Sequence, residues 1–516
     1  MTLLRSLLVA LLAIAAALPI RTLLADRRLS VRRAAWILLL APYLTPVLLT
    51  GYAYANFSLS LIHHPALNAF FYSALLWWKF TPIAAVILHF TPAPILAEAI
   101  HCHRLARGGD LAERRFLSSA KSAALCRVAA TPRWLFLIRA GCARGPVAAF
   151  AVVFLFVFAE FEMASLMVVK SWTVALFDSH AGGLALSESL RRMPGPLLCE
   201  AGAIAAAFVV LGRHQVIPEP RITGNRSHQW FGWCHLLIAF IFVLMIPAAM
   251  VLWGVIRGFG LLLENFVLSR EILASLLFAA GASVLAGLAV FGLGGSGVAQ
   301  VCNLLYRRFE IGGARPARDA RRVANPRYGR LKICAAILAC AICRGGSSFC
   351  KIILIAGVFA GLLGSLVLSL SVLAAVQLPG LIALRETPAP LVFTLGLVLL
   401  PMALVLKRVL ELTGHRSALH LTTLLEKSRA VRELTWRLNT SGKFWAMVLL
   451  FTWAYWDLTA SSILAPIGMT PVTVRLYNLM HYGQIAALSA MTCAAFAAPI
   501  LIFLLALGTR RWWAPR

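Results

Sequence analysis

The residues of this sequence with the most chemistry to offer are acids placed inside long apolar runs. Glu160, Glu162 and Asp457 each lie in a stretch with the length and composition of a membrane span. An ionisable group in such a place is costly, and it commonly lines a pathway, gates it or relays a proton. With 19 Asp and Glu among 516 residues, these positions stand out. Helical spacing sets Glu160 and Glu162 on different faces, so at most one of them is expected to face a polar path. The competing reading is a carboxylate hydrogen-bonded between helices for structural reasons.

Other constellations offer less. Lys79 follows Trp77 and Trp78, the setting of a basic side chain that snorkels to the membrane interface. His101-Cys102-His103 carries donor atoms, but alternate positions do not converge on one helix face. Cys340 and Cys343 form a Cys-x-x-Cys within Ala- and Ile-rich sequence, unlike the paired, polar knuckle of a zinc site. Gly292, Gly294 and Gly297 match Gly-x-Gly-x-x-Gly at the end of an apolar span, where close helix packing accounts for them better than a dinucleotide. No phosphate-cradling loop is present, since Gly442-Lys443 is followed by Phe444. No metal, cofactor or catalytic residue is therefore expected, and the chain reads as a non-enzyme.

The elements that must position the acids follow from composition. Hydrophobic residues make up 61% of the chain and charged residues 13%, against roughly a quarter charged in soluble domains. Apolar runs of about 20 residues without alternation read as transmembrane helices. Eleven are expected, near 4–24, 34–56, 67–100, 145–169, 196–213, 232–256, 271–298, 351–377, 388–412, 443–466 and 485–508. Residues 333–343 add a shorter piece. The fold class is thus all-α, a polytopic bundle of about 11–12 spans.

The net charge of +29 has an address. Segments 101–144, 299–332 and 413–443 hold 24 of the 48 basic residues, while 57–66 holds none and 467–484 only Arg475. Cytoplasmic loops carry such excess. The N-terminus is expected outside and the C-terminus in the cytoplasm. The charge is a topology signal, and no nucleic-acid partner is needed to explain it. The partner it implies is a lipid bilayer.

A repeat runs through the chain. Glu160-Phe161-Glu162-Met163-Ala164-Ser165-Leu166 is matched by Asp457-Leu458-Thr459-Ala460-Ser461-Ser462-Ile463, and Trp172-Thr173-Val174 by Val472-Thr473-Val474. Both matches lie about 297 to 300 residues apart. Each follows a basic cytoplasmic segment, so the copies share one orientation: a parallel repeat of the kind transporters use, with the pathway between copies. The expected halves are 1–213 and 232–516, joined by a cytoplasmic linker at 214–231, with a basic insertion at 299–350 in the second.

On the stretches 120–212 and 415–508, and on Pro466 to Gly483 above all, the chain resembles the permease subunits of ABC-type importers, of the ferric iron, thiamine and sulfate type with two permease halves in one chain. Members carry a cytoplasmic coupling signature that docks on the ATPase. Ala123 and Ala124 stand at its start, Ala129 stands in for its glycine, and Thr131, Pro132 and Phe136 match flanking positions; its Glu and Gly are missing. The resemblance implies a separate cytoplasmic ATPase, an external substrate-binding protein, a bacterial cytoplasmic membrane and a path through Glu160, Glu162 and Asp457. Ferric iron or a similar small solute as cargo rests on the resemblance alone. The alternatives are a membrane enzyme acting on lipid-linked substrates and a gradient-driven carrier.

Overall fold

Lipid offers the backbone no hydrogen-bond partner, so each apolar run must satisfy its own amides and folds as a helix. A computed structural model of the chain describes residues 1–26, 28–90, 144–182, 188, 191, 193–211, 226–264, 267–292, 348–413, 441–481 and 485–513. Every regular element among these is helical. The helices are α1 (Thr2–Leu24), α2 (Leu29–Leu44), α3 (Val47–Ser60), α4 (Pro65–Phe90), α5 (Arg144–Phe158), α6 (Glu162–Leu166), α7 (Trp172–Ala181) and α8 (Pro194–Leu211). They continue with α9 (Arg226–Ala239), α10 (Ile246–Glu264), α11 (Val267–Gly287), α12 (Ser348–Leu362), α13 (Ser365–Val376) and α14 (Ala389–Thr413). The last four are α15 (Ser441–Tyr455), α16 (Thr459–Leu464), α17 (Val472–His481) and α18 (Ile485–Trp513). Wide π turns at Phe240–Met245 and Leu288–Gly292 join α9 to α10 and close α11.

The chain is an all-α, multi-pass membrane protein. Six described stretches are long and apolar enough to cross a bilayer, and eight if each bent helix pair counts as one span. The count falls below the expected eleven partly because the spans expected at 145–169 and 443–466 are each interrupted, into α5 with α6 and α15 with α16. The span expected at 34–56 is also broken, at Thr45-Pro46 between α2 and α3. Pro46 lacks an amide hydrogen and drives Thr45 to extended backbone, ψ 126°. The carbonyl of Thr45 then accepts from the ammonium of Lys79. Lys79 is 2% exposed, so it is an interior cap on the end of α2 and not the snorkelling residue that its tryptophan neighbours suggested. The sharpest bend, 119°, separates α12 from α13 at Gly364, whose φ of +87° only glycine adopts without strain.

Two compact units emerge. The first comprises 1–45, 64–158 and 201–245, and the second 46–63, 159–200 and 246–516. In the first, α1 packs against α4, α5 and α9, and Arg5 lies over the Tyr72 ring at 4.7 Å. In the second, α10 runs along α18, and α14 along α11, α12 and α15. Small residues let these backbones approach: a methyl group on Gly361 would overlap the Leu397 carbonyl oxygen, and one on Gly258 the Ala486 carbonyl oxygen.

Candidate functional site: two broken-helix modules

The sequence repeat reappears as a repeated order of elements. The first copy is α5, a break at 159–161, the short α6, a turn, and α7. The second is α15, a break at 456–458, the short α16, a turn, and α17.

The acids make the breaks. Glu160 accepts from the backbone N–H of Met163 at 2.5 Å and of Ala164 at 3.1 Å, so its carboxylate caps α6. Asp457 accepts from the N–H of Ala460 at 2.7 Å and caps α16 in the same way. A helix restarted inside the membrane has orphan N–H groups that no water reaches, and a carboxylate three residues upstream supplies the partner. Each acid is tied down a second time. Thr173 donates to the Glu160 carbonyl at 2.8 Å, and Thr473 to the Asp457 carbonyl at 3.4 Å. One cap differs between copies: Ser171 caps α7 through the Val174 N–H, whereas the N–H of Val472 reaches Ser275 on α11 at 2.8 Å.

The turn after each short helix passes through a left-handed residue, Val168 at φ +54° and Gly468 at φ +81°, 300 residues apart. Glycine suits the position, whereas a β-branched residue there is strained by about 1–2 kcal/mol. Val168→Gly is therefore expected to raise stability by up to about 1 kcal/mol, after the entropy that glycine adds to the unfolded chain. Gly468→Val should lower it by at least as much. Thermal unfolding of both variants in detergent checks the pair, and opposite signs are the expected result.

Glu162 joins the copies. Its Oε1 accepts from the N–H of Leu458 at 2.8 Å, the N–H of Thr459 at 3.3 Å and the Thr459 hydroxyl at 3.3 Å. At the offset of 297, Glu162 and Thr459 are equivalent positions of the two copies. Asp457 and Glu160 both lie close enough to act on the charge of Glu162. The third break joins the same cluster. Ser365, at the start of α13, donates to Asp457 Oδ2 at 3.0 Å, and the adjacent Gly364 packs so closely on Ala159 that a Cβ would stand 2.9 Å from that methyl.

The structure thus brings the three expected acids together. Glu160 and Glu162 do differ in direction, as helical spacing suggested, but neither sits within an unbroken helix: one turns back on its own copy and one reaches across. Sequence reasoning passed over Ser365, Thr459 and the threonine pair 173 and 473; the Gly364-Ser365 dipeptide inside an apolar run was the available signal. It also passed over Glu200 on α8, fully buried and without a hydrogen-bond partner among the described residues. Beside Asp457, a small apolar cavity is lined by Leu48, Tyr52, Trp456, Met480, Thr492 and Phe496. Among the described residues, no three His, Cys, Asp or Glu side chains gather as a metal site. The coupling positions Ala123, Ala124, Ala129, Thr131, Pro132 and Phe136 lie outside the described residues, as do His101-Cys102-His103 and Cys340 with Cys343. No family model, curated protein or solved structure matches this chain.

Proposed function

We propose that this chain is the membrane-spanning permease of an ATP-driven importer of the ABC type, with the two broken-helix modules flanking its translocation path. The observation that carries the reading is the junction of Glu162 with Thr459, where two repeated modules and the α12–α13 break meet around partly buried carboxylates. Transporters place their paths at the interface of internal repeats, on discontinuous helices whose freed polar groups handle the solute. The apolar cavity beside Trp456 is the adjoining stretch of the path in this reading. Energy comes from a separate cytoplasmic ATPase docked on 123–146 and 418–440, and solute arrives from an external binding protein. The setting is a bacterial cytoplasmic membrane with the C-terminus inside. The cargo is a small solute, with ferric iron the first to test.

The test is recovery of the tagged chain under mild detergent after crosslinking from 123–146 and 418–440. An ATPase subunit should be captured, and reconstituted uptake should require ATP. Uptake that follows an ion gradient with no ATPase present would instead identify a carrier. Turnover of a lipid-linked substrate without uptake would identify an enzyme.

A further inference from the structure

The two modules meet through Glu162 and Thr459, yet the contacts on the two sides of that junction are chemically unlike. On one side the first copy reaches the second through polar groups. Glu162 holds the start of α16, and the Ser165 hydroxyl lies 3.4 Å from the Tyr477 hydroxyl. The positions equivalent to Ser165 and Tyr477 are Ser462 and Phe177. Phe177 has no hydroxyl, so the second polar tie has no counterpart. That side is apolar: Phe177 and Ile463 pack on a buried cluster of Phe161, Leu176, Leu366 and Leu370. Nor does Thr459, the counterpart of Glu162, send a carboxylate back.

We infer that the interface between the modules is a latch and a hinge, with Glu162 and the Ser165–Tyr477 pair forming the side that opens and the Phe161–Phe177–Ile463 cluster the side that stays closed. The inference rests on the proposed transport function for its purpose, though not for its test. Apolar packing in lipid is short-ranged and holds a unique geometry, so the cluster side turns as a body. Hydrogen bonds to a carboxylate instead have discrete made and broken states, and water entering an opening seam replaces them. Val168, 54% exposed and strained, stands three residues beyond Ser165 on the latch side. Strain next to a moving seam is where a two-state element stores its bias.

The test reads each side separately, in the isolated full chain. Single cysteines replace Ser165 on the latch side and Ile463 on the hinge side, and their alkylation rates are read by mass spectrometry. Glu162→Ala should raise the rate at position 165 by about tenfold or more, the equivalent of one or two hydrogen bonds to a charged group. The rate at position 463 should stay within about twofold. Glu162→Gln keeps an acceptor oxygen and should leave both rates near those of the parent. Equal acceleration at the two positions would show general loosening and overturn the inference. No acceleration at either, in a variant that remains monodisperse, would overturn it too. Failure of the importer reading shows elsewhere, as the absence of a captured ATPase, and leaves the labelling result standing.

Discussion

Asp457→Ala should lower the stability of the detergent-solubilised chain by about 2–5 kcal/mol, while Asp457→Asn should cost less than half as much. The carboxylate accepts from the Ala460 N–H at 2.7 Å and from the Ser365 hydroxyl at 3.0 Å. Ala460 is buried and Ser365 partly so, and a buried donor left without a partner costs about 1–3 kcal/mol. Alanine strands both. Asparagine retains a side-chain oxygen that Ala460 can still reach, so it preserves the restart of α16. Thermal unfolding of the two variants, followed by uptake where they fold, separates the cap from any further duty. If Asn and Ala are equally damaging, the negative charge matters more than the capping geometry. If Asn folds as the parent does but uptake stops, the charge belongs to the transport path.

The second large effect is expected at Gly258. On α10, Gly254 and Gly258 form a small-residue seam against Ser489 and Ala486 of α18. A side chain at Gly258 would collide with the Ala486 carbonyl oxygen, a backbone atom that cannot swing aside. Gly258→Val should therefore cost about 3 kcal/mol or more, the upper range of overpacking, and sharply reduce the folded yield. Gly260, two residues on, meets nothing within 4 Å. Gly260→Val should change stability by no more than about 0.5–1 kcal/mol. Comparing monodisperse yield and unfolding temperature for the two variants isolates the contact from the general effect of removing a helical glycine. A similar loss at both sites would mean that α10 and α18 are not packed as described.

How far the sequence foretold this arrangement depended on the kind of signal. Among the described residues the helices were legible, because an apolar run in lipid has one common solution. The repeat was legible too, since Glu160 with Thr173 and Asp457 with Thr473 keep their spacing, and the structure gives each pair the same hydrogen bond. The breaks were less so. At Thr45-Pro46 and at Gly364 the usual punctuating residues were present. At Phe158–Phe161 and Tyr455–Leu458 no Pro or Gly marks the interruption; the acid itself does, by outcompeting the helix for the N–H groups three and four residues on. A lone acid in an apolar run reads as a path-lining group before it reads as a cap, and only coordinates separate the two. Lys79 shows the same limit. Its tryptophan neighbours pointed to an interface, while its actual partner, the Thr45 carbonyl, is 34 residues away.

The one-way reach of Glu162 bears on stoichiometry. Two first modules paired with each other would bring Glu162 against Glu162, two carboxylates repelling each other without the hydroxyl that Thr459 supplies. Two second modules would set Thr459 against Thr459 and leave the restart of α16 without its cross-copy acceptor. Only the mixed pair satisfies both sides. Carrying the two modules on one polypeptide guarantees that pair in every molecule made, at a ratio that no imbalance in synthesis can disturb.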